Sequence, residues 1–270
     1  MNKKKQNMEQ SYNQVKSHYE RAAESRNERL LTSGFNAAKV NHEERLKIIK
    51  SFLKQIGTVK QGVDIGTGTG VWSEVMLDYC ENITGIDFAK QNIKIASEKA
   101  ANRNISYRLS YIEGDAERLN GVSENFFDVA THVSVLQHLP DQMKALERVN
   151  DILKKDGQII ILVHNRHCIY NRSLNQQNRR GTTVAINKYN SLEEIVDLLE
   201  KAGFQIKRIR LSWFFFLDFL LIGLGRSSLA PFEPFRRALL VVFCKIGGWL
   251  GRFQSLSPFF REIVIQAIKR

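Results

Sequence analysis

Short apolar runs alternate with helical patterns along most of this chain. GVDIG (62–66), NITGID (82–87), ISYRLSYI (105–112), FFDVATHV (126–133) and QIIILV (158–163) read as strands, followed later by FQIKRIRL (204–211) and REIVIQAI (261–268). Between them the period lengthens to that of a helix. Leu46, Ile49, Phe52, Leu53 and Ile56 recur on one face after Asn41, a candidate cap with Glu44 at the third helical position. A helix is predicted from about Gly70 to Tyr79, another through Ile93, Ile95 and Ala96, and another carrying Leu146, Val149, Ile152 and Leu153. SLEEIVDLLEKAG (191–203) opens on a capping box, Ser191 with Glu194, and stops at Gly203. Strand–helix alternation predicts an α/β fold, with a mostly parallel sheet covered by helices on both faces.

Composition narrows the class without choosing a function. The chain has 270 residues, 43% hydrophobic and 25% charged, which excludes disordered, collagen-like and coiled-coil classes. Cys80, Cys168 and Cys244 lie far apart, so neither a zinc framework nor a disulfide scaffold is expected. They suit a reducing compartment, and the polar start MNKKKQNMEQ has no apolar signal region. The expected location is therefore cytoplasmic. The net charge of +12 is uneven: residues 1–62 carry +7, 63–164 carry −5, 165–212 carry +5 and 213–270 carry +5. Basic flanks around an acidic centre favour a polyanion, either nucleic acid or an anionic membrane surface, or are plain solvated charge.

The chemistry is concentrated in V-D-I-G-T-G-T-G-V-W, residues 63–72, which ends a strand and opens a helix. Gly66, Gly68 and Gly70 permit positive φ and close approach of a ligand to the backbone. No Gly-Lys-Ser/Thr follows, so the loop is not a P-loop, and its spacing departs from the dinucleotide fingerprint G-x-G-x-x-G. Asp87 ends the next strand, 21 residues after Gly66, where a carboxylate can accept two ribose hydroxyls. E-G-D-A (113–116) follows the strand after that.

These features, in this order, resemble the class I S-adenosylmethionine-dependent methyltransferase family. The resemblance covers roughly residues 42–212 and the final strand, and FFDVATHVSVLQHLP (126–140) is similar to the fourth-strand region of the small-molecule and quinone-type subgroup. It implies a doubly wound, mostly parallel seven-stranded Rossmann-like sheet and S-adenosylmethionine as cofactor. It implies that Asp64 supports the loop and, through water, the methionine amine. Gly66, Thr67, Gly68 and Gly70 would pack on the methionine part. Asp87 would bind the ribose, Phe88 would border the adenine, and Asp115 and Ala116 would contact its ring. His132 and Val133 would lie beside the sulfonium.

Methyl transfer needs alignment, exclusion of water and, for a hydroxyl acceptor, removal of a proton. Candidate bases are His132, His138, His164 and His167. No cluster has metal spacing, so a metal-independent reaction is expected.

Residues 213–260 contain 10 of the 16 phenylalanines, 2 of the 3 tryptophans and 3 of the 4 prolines. WFFFLDFLLIGLG (213–225) and ALLVVFCKIGGWL (238–250) are each shorter than the roughly 20 residues a membrane span needs. They are predicted to form an apolar helical hairpin inserted before the last strand. On a helix Arg237, Lys245 and Arg252 fall within about 80° of one another. The hairpin suits an anionic membrane surface, a cap over the active site, or a dimer interface. The domain plan is an arm or lid at 1–41, a core at 42–212, the insertion at 213–260 and the last core strand at 261–270. The expected activity is methyl transfer to an apolar or lipid-like small molecule, at oxygen first, with peripheral attachment to the membrane inner face. The alternatives are an RNA methyltransferase using the basic flanks and a non-catalytic S-adenosylmethionine-binding partner protein. Nucleic acid is less favoured, because Thr131-His132-Val133-Ser134 stands where base-modifying relatives carry N/D-P-P-Y/F.

Overall fold

The structure, a computed structural model, describes residues 16–17, 37–168, 171, 188–214, 242, 246–247 and 249–270. Most of the expected N-terminal arm, the run from 215 to 241, which holds Arg237, and the run from 243 to 245, which holds Cys244 and Lys245, lie outside the described residues.

A helix α1 (Ala37–Ile56) precedes β1 (Val59–Ile65), α2 (Val71–Met76), β2 (Cys80–Asp87), α3 (Lys90–Asn102), β3 (Leu109–Glu113) and β4 (Phe127–Val133). Then come a 3-10 turn (Leu136–His138), α4 (Gln142–Ile152), β5 (Leu153–His164), α5 (Leu192–Lys201), β6 (Phe204–Phe214), a second 3-10 turn (Gln254–Phe259) and β7 (Phe260–Lys269). The seven strands form one sheet in the order β3-β2-β1-β4-β5-β7-β6. β1 to β5 run parallel, and β7 lies antiparallel between β5 and β6. The expected mostly parallel, doubly wound α/β sheet is thus the fold. Order reverses between β1 and β4, so a crevice opens at the carboxyl ends of those strands.

Two apolar layers hold the helices to the sheet. Ile49, Phe52 and Leu53 of α1 pack with Ile160, Leu162 and Val264 on one face. Leu146 and Val149 of α4 and Ile195 and Leu199 of α5 pack with Ile159, Ile161 and Ile265 on the other. Each such side chain contributes about 1.5–3 kcal/mol. α5 begins with the predicted capping box: Ser191 Oγ accepts from the Glu194 N–H at 3.2 Å, and Glu194 Oε2 accepts from the Ser191 N–H at 2.8 Å.

Some boundaries differ from the sequence pattern. Ile105 belongs to a turn, and β3 begins at Leu109. Leu153 leaves its helix to open β5, where Phe127 pairs with it before the register shifts. α1 starts at Ala37, four residues before Asn41, so Asn41 and Glu44 are not a capping pair. They sit on the face of α1 that covers β7: Asn41 Nδ2 donates to Glu262 Oε1 at 3.2 Å, and Glu44 is 9% exposed.

Candidate functional site

Loop 66–70 is held from below. The Gly66 and Thr67 N–H groups donate to the Ile86 carbonyl at 2.7 and 2.9 Å, tying the end of β1 to β2. Asp64, 1% exposed, accepts from Thr67 Oγ1 at 2.8 Å, Ser73 Oγ at 2.7 Å and Thr131 Oγ1 at 2.7 Å. Burial raises its pKa, and these hydroxyls oppose that rise. Asp64 therefore braces the loop from inside, and it does not line the cavity described below. Ser73 and Thr131 complete the brace, although nothing in their sequence context marks them.

Gly66 and Gly70 adopt φ of 71° and 83°. A β-carbon at Gly66 would collide with the Val135 methyls, and one at Gly70 with the Tyr111 ring and hydroxyl. Gly66→Ala should therefore combine strain of about 1–3 kcal/mol with displacement of the loop after β4. Calorimetry with S-adenosylmethionine should show at least a tenfold weaker affinity; unchanged affinity would show that the loop's position is unimportant.

Above the loop lies a cavity of about 560 Å³ at the carboxyl ends of β1, β2, β4 and β5. A β-carbon at Gly68 would meet nothing within 4 Å, so there the loop faces open space. Asp87 is 5% exposed and lines the cavity. Its Oδ2 accepts from the Gly68 N–H at 2.8 Å, and its Oδ1 from the Ala89 N–H at 2.9 Å and Asn92 Nδ2 at 3.1 Å. Phe88, Asp115, Ala116 and Val133 line the same cavity. Asp115 Oδ1 accepts from the Glu117 N–H at 2.8 Å, which sets the turn carrying it. The two acids, the apolar Phe88 and Ala116, and the open face at Gly68 fit a cofactor with a sugar, a flat base and a compact tail.

The candidate bases separate. His132 is fully buried, both ring nitrogens are enclosed without a hydrogen-bond partner among the described residues, and burial lowers its pKa to about 4. Strand alternation is the reason. Thr131 and Val133 face the loop side, whereas His132 pairs with Ile161 and faces the opposite layer. Its side chain does not line the cavity, contrary to the expectation that it stands beside the sulfonium. His167 is also outside the lining; its N–H donates to Asn165 Oδ1 at 3.0 Å. His138 and His164 do line it.

His164 ends β5 opposite Glu262 of β7, which in turn lies opposite Ser212 of β6. α1 covers this row. Arg45 donates from Nε to Glu262 Oε2 at 2.9 Å and from Nη2 to Oε1, a two-pronged pair with Glu262 at 0% exposure. Burial alone would raise the Glu262 carboxyl, but the Arg45 charge pulls it down to about 2. Burial pushes Glu44 up to about 7, with Glu262 adding to the rise. Burial lowers His164 to about 3 against the pull of Glu262, so its imidazole is neutral at pH 7. Asn41, His42 and Arg45 bring α1 into the cavity wall, where the His42 ring meets Trp72 at a tilt of 54°, 5.2 Å between ring centres. A carboxylate, Glu262, at the start of the largely apolar strand REIVIQAI was the one sequence signal that could have found this cluster. Among the described residues, Asn41 Oδ1, Ser134 Oγ, Gln137 Oε1 and His164 Nδ1 are enclosed here without a hydrogen-bond partner, and all four residues line the cavity.

Residues 63–161 match the family model described as "Methyltransferase domain". A ubiquinone biosynthesis O-methyltransferase of Actinobacillus pleuropneumoniae is 31% identical over 109 residues, 40% of this chain and 47% of that protein. Phosphoethanolamine N-methyltransferase 2 of Caenorhabditis elegans is 31% identical over 170 residues, 60% of this chain and 36% of that protein. The chain thus spans less than half the length of either curated relative. A SAM-dependent methyltransferase structure from Thermotoga maritima superposes with a TM-score of 0.60 at 19% identity, covering 93% of this chain and 98% of that one. That likeness concerns the fold.

Proposed function

We propose, from the match of residues 63–161 to a methyltransferase domain model, that the protein is an S-adenosylmethionine-dependent methyltransferase acting on a small molecule with an apolar body and a hydroxyl acceptor. One observation carries the reading: the open face at Gly68 lies in one cavity with Asp87 and Asp115. When bound, S-adenosylmethionine supplies an activated methyl group on a positively charged sulfur. Asp87 would accept hydrogen bonds from the ribose, Phe88 and Ala116 would flank the adenine, and Asp115 would face its amino group. Gly66, Thr67, Gly68 and Gly70 would pack on the methionine part, with Asp64 holding them from behind. Val133 would border the sulfonium.

At the acceptor end, Asn41 Nδ2 donates to Glu262 and Gln137 Nε2 to the Ser134 carbonyl at 3.0 Å, so each amide's oxygen is the atom left to accept. An acceptor bearing hydrogen-bond donors satisfies them. Neutral His164 would accept the hydroxyl proton as the acceptor oxygen takes the methyl group, the carbon–sulfur bond breaking to leave the neutral thioether, and Glu262, opposite it, would favour the resulting imidazolium. No metal enters this scheme, since the sulfonium is already a good leaving group. His138 lines the same wall and is the second candidate. The O-methyltransferase name of a relative supports oxygen as the acceptor atom. A lipid-like body agrees with the aromatic content of 213–260 and with peripheral attachment to an anionic surface. Among the described residues, no helix is long and apolar enough to cross a membrane.

The test is to incubate the protein with isotopically labelled S-adenosylmethionine and a lipid-soluble extract, then identify the methylated product. His164→Ala should lower kcat by about a hundredfold or more and leave cofactor affinity within twofold. An unchanged kcat would remove His164 from the chemistry.

A further inference from the structure

The far side of β6 carries a second feature, remote from the glycine loop. Val242, Ile246, Trp249 and Phe253 follow the spacing of one helix face, and all four are between 44% and 56% exposed. Trp249 and Phe253 meet edge to face at 5.3 Å. The opposite side is anchored. Gly247 and Gly251 are buried, Leu250 packs on the core, and the Leu211 N–H donates to the Gly251 carbonyl at 2.9 Å. A β-carbon at Gly251 would collide with the Leu211 carbonyl, so this close docking requires glycine and fixes which face points outward.

The apolar face has a basic border. Arg252 and Arg208 are exposed; Arg252 follows Gly251, whose carbonyl takes the Leu211 N–H, which sets it beside the Arg208–Arg210 stretch of β6, and burial, then the charges of Arg252 and Arg208, lower the Arg210 pKa. Among the described residues, none of the three forms a salt bridge. Guanidinium groups bordering a face with exposed Trp and Phe would sit at the depth of lipid headgroups with the rings at the acyl boundary.

We infer that this face, Trp249 and Phe253 with Arg208, Arg210 and Arg252, docks the protein on an anionic lipid surface. This gives the lipid-facing part of the proposed function a location, while its geometry is independent of methyl transfer. Two scattered exposed hydrophobes would need no explanation. Here four share one face, a glycine contact fixes their orientation, and like charges flank them.

The test uses the full chain with sucrose-loaded vesicles of phosphatidylcholine alone or mixed with phosphatidylglycerol. The protein should sediment with the mixed vesicles and much less with the neutral ones. Replacing Arg208, Arg210 and Arg252 together by Gln should reduce partitioning by about fivefold per charge and erase the preference for anionic lipid. Trp249→Ser with Phe253→Ser should abolish partitioning to both. Trp249→Phe supplies a gentler variant: brominated lipid should quench the emission of the original protein and leave this variant unquenched. Equal binding to both vesicle types, no binding at all, or variants that partition like the original would overturn the inference. So would binding to poly(U) without binding to vesicles. Calorimetry with S-adenosylmethionine reads the other proposal separately. Vesicle binding without cofactor binding would refute the methyltransferase reading alone, and the reverse would refute docking alone.

Discussion

Asp87→Ala should weaken S-adenosylmethionine binding at least a hundredfold. Two charge-assisted hydrogen bonds to a ribose are together worth roughly 3–6 kcal/mol. The same carboxylate also orders its surroundings, accepting from Gly68, Ala89 and Asn92. Its removal leaves the Gly68 N–H without that acceptor and frees Asn92 to turn. Calorimetry gives the affinity, and a thermal melt separates binding from unfolding. Asp87→Asn keeps the shape and an acceptor oxygen while removing the charge, so it should fall between the two. An Asp87→Ala protein that binds within threefold of the original would sink the ribose assignment.

Glu262→Ala should be the most destabilising single change. It leaves the Arg45 guanidinium in a nearly closed site without its carboxylate, and breaking one partner of a buried pair costs about 3–5 kcal/mol. For a chain of this size that lowers the melting temperature by on the order of 10 °C. Replacing Arg45 and Glu262 together by Met should recover much of the loss, because the uncompensated charge disappears. If the double variant is no better than the single, the pair is not what holds α1 to β7.

Acid should act on the same pair. The folded-state pKa of Glu262 is depressed from 4.5 to about 2, so its stabilisation is present above pH 4.5 and lost as pH falls toward 2. His132 and His164 are lowered from 6.5, so they begin to erode stability as pH drops below 6.5. Glu44 has the opposite sign: its raised pKa makes it a growing cost between pH 4.5 and about 7. Melting temperatures from pH 3 to 8 should lose the acid-side slope of Glu262 in Glu262→Gln.

Local features were legible in the sequence because local rules decide them. The loop glycines, the acid ending β2 and the Ser191–Glu194 cap depend on residues a few positions apart. The mostly parallel, seven-stranded sheet came through the family resemblance, whereas the strand order and the antiparallel β7 emerge only from the fold. The acceptor end was not legible. Arg45 and Glu262 are 217 positions apart, and only folding brings them together. His132 shows a different failure. Its position at the end of β4 pointed to the cavity, whereas the pleat sends its side chain to the opposite layer. Counting alternation from Thr131, which must reach Asp64, would have corrected it.

The placement of β7 also bears on biogenesis. Phe260–Lys269 is translated after β6 yet lies inside the sheet, paired with both β5 and β6. On the ribosome, β5 therefore keeps a bare hydrogen-bonding edge while roughly a hundred further residues are made, and β6 has no neighbour to join. A nascent chain held at that stage exposes this strand edge, and closure of the sheet awaits the emergence of β7 from the exit tunnel.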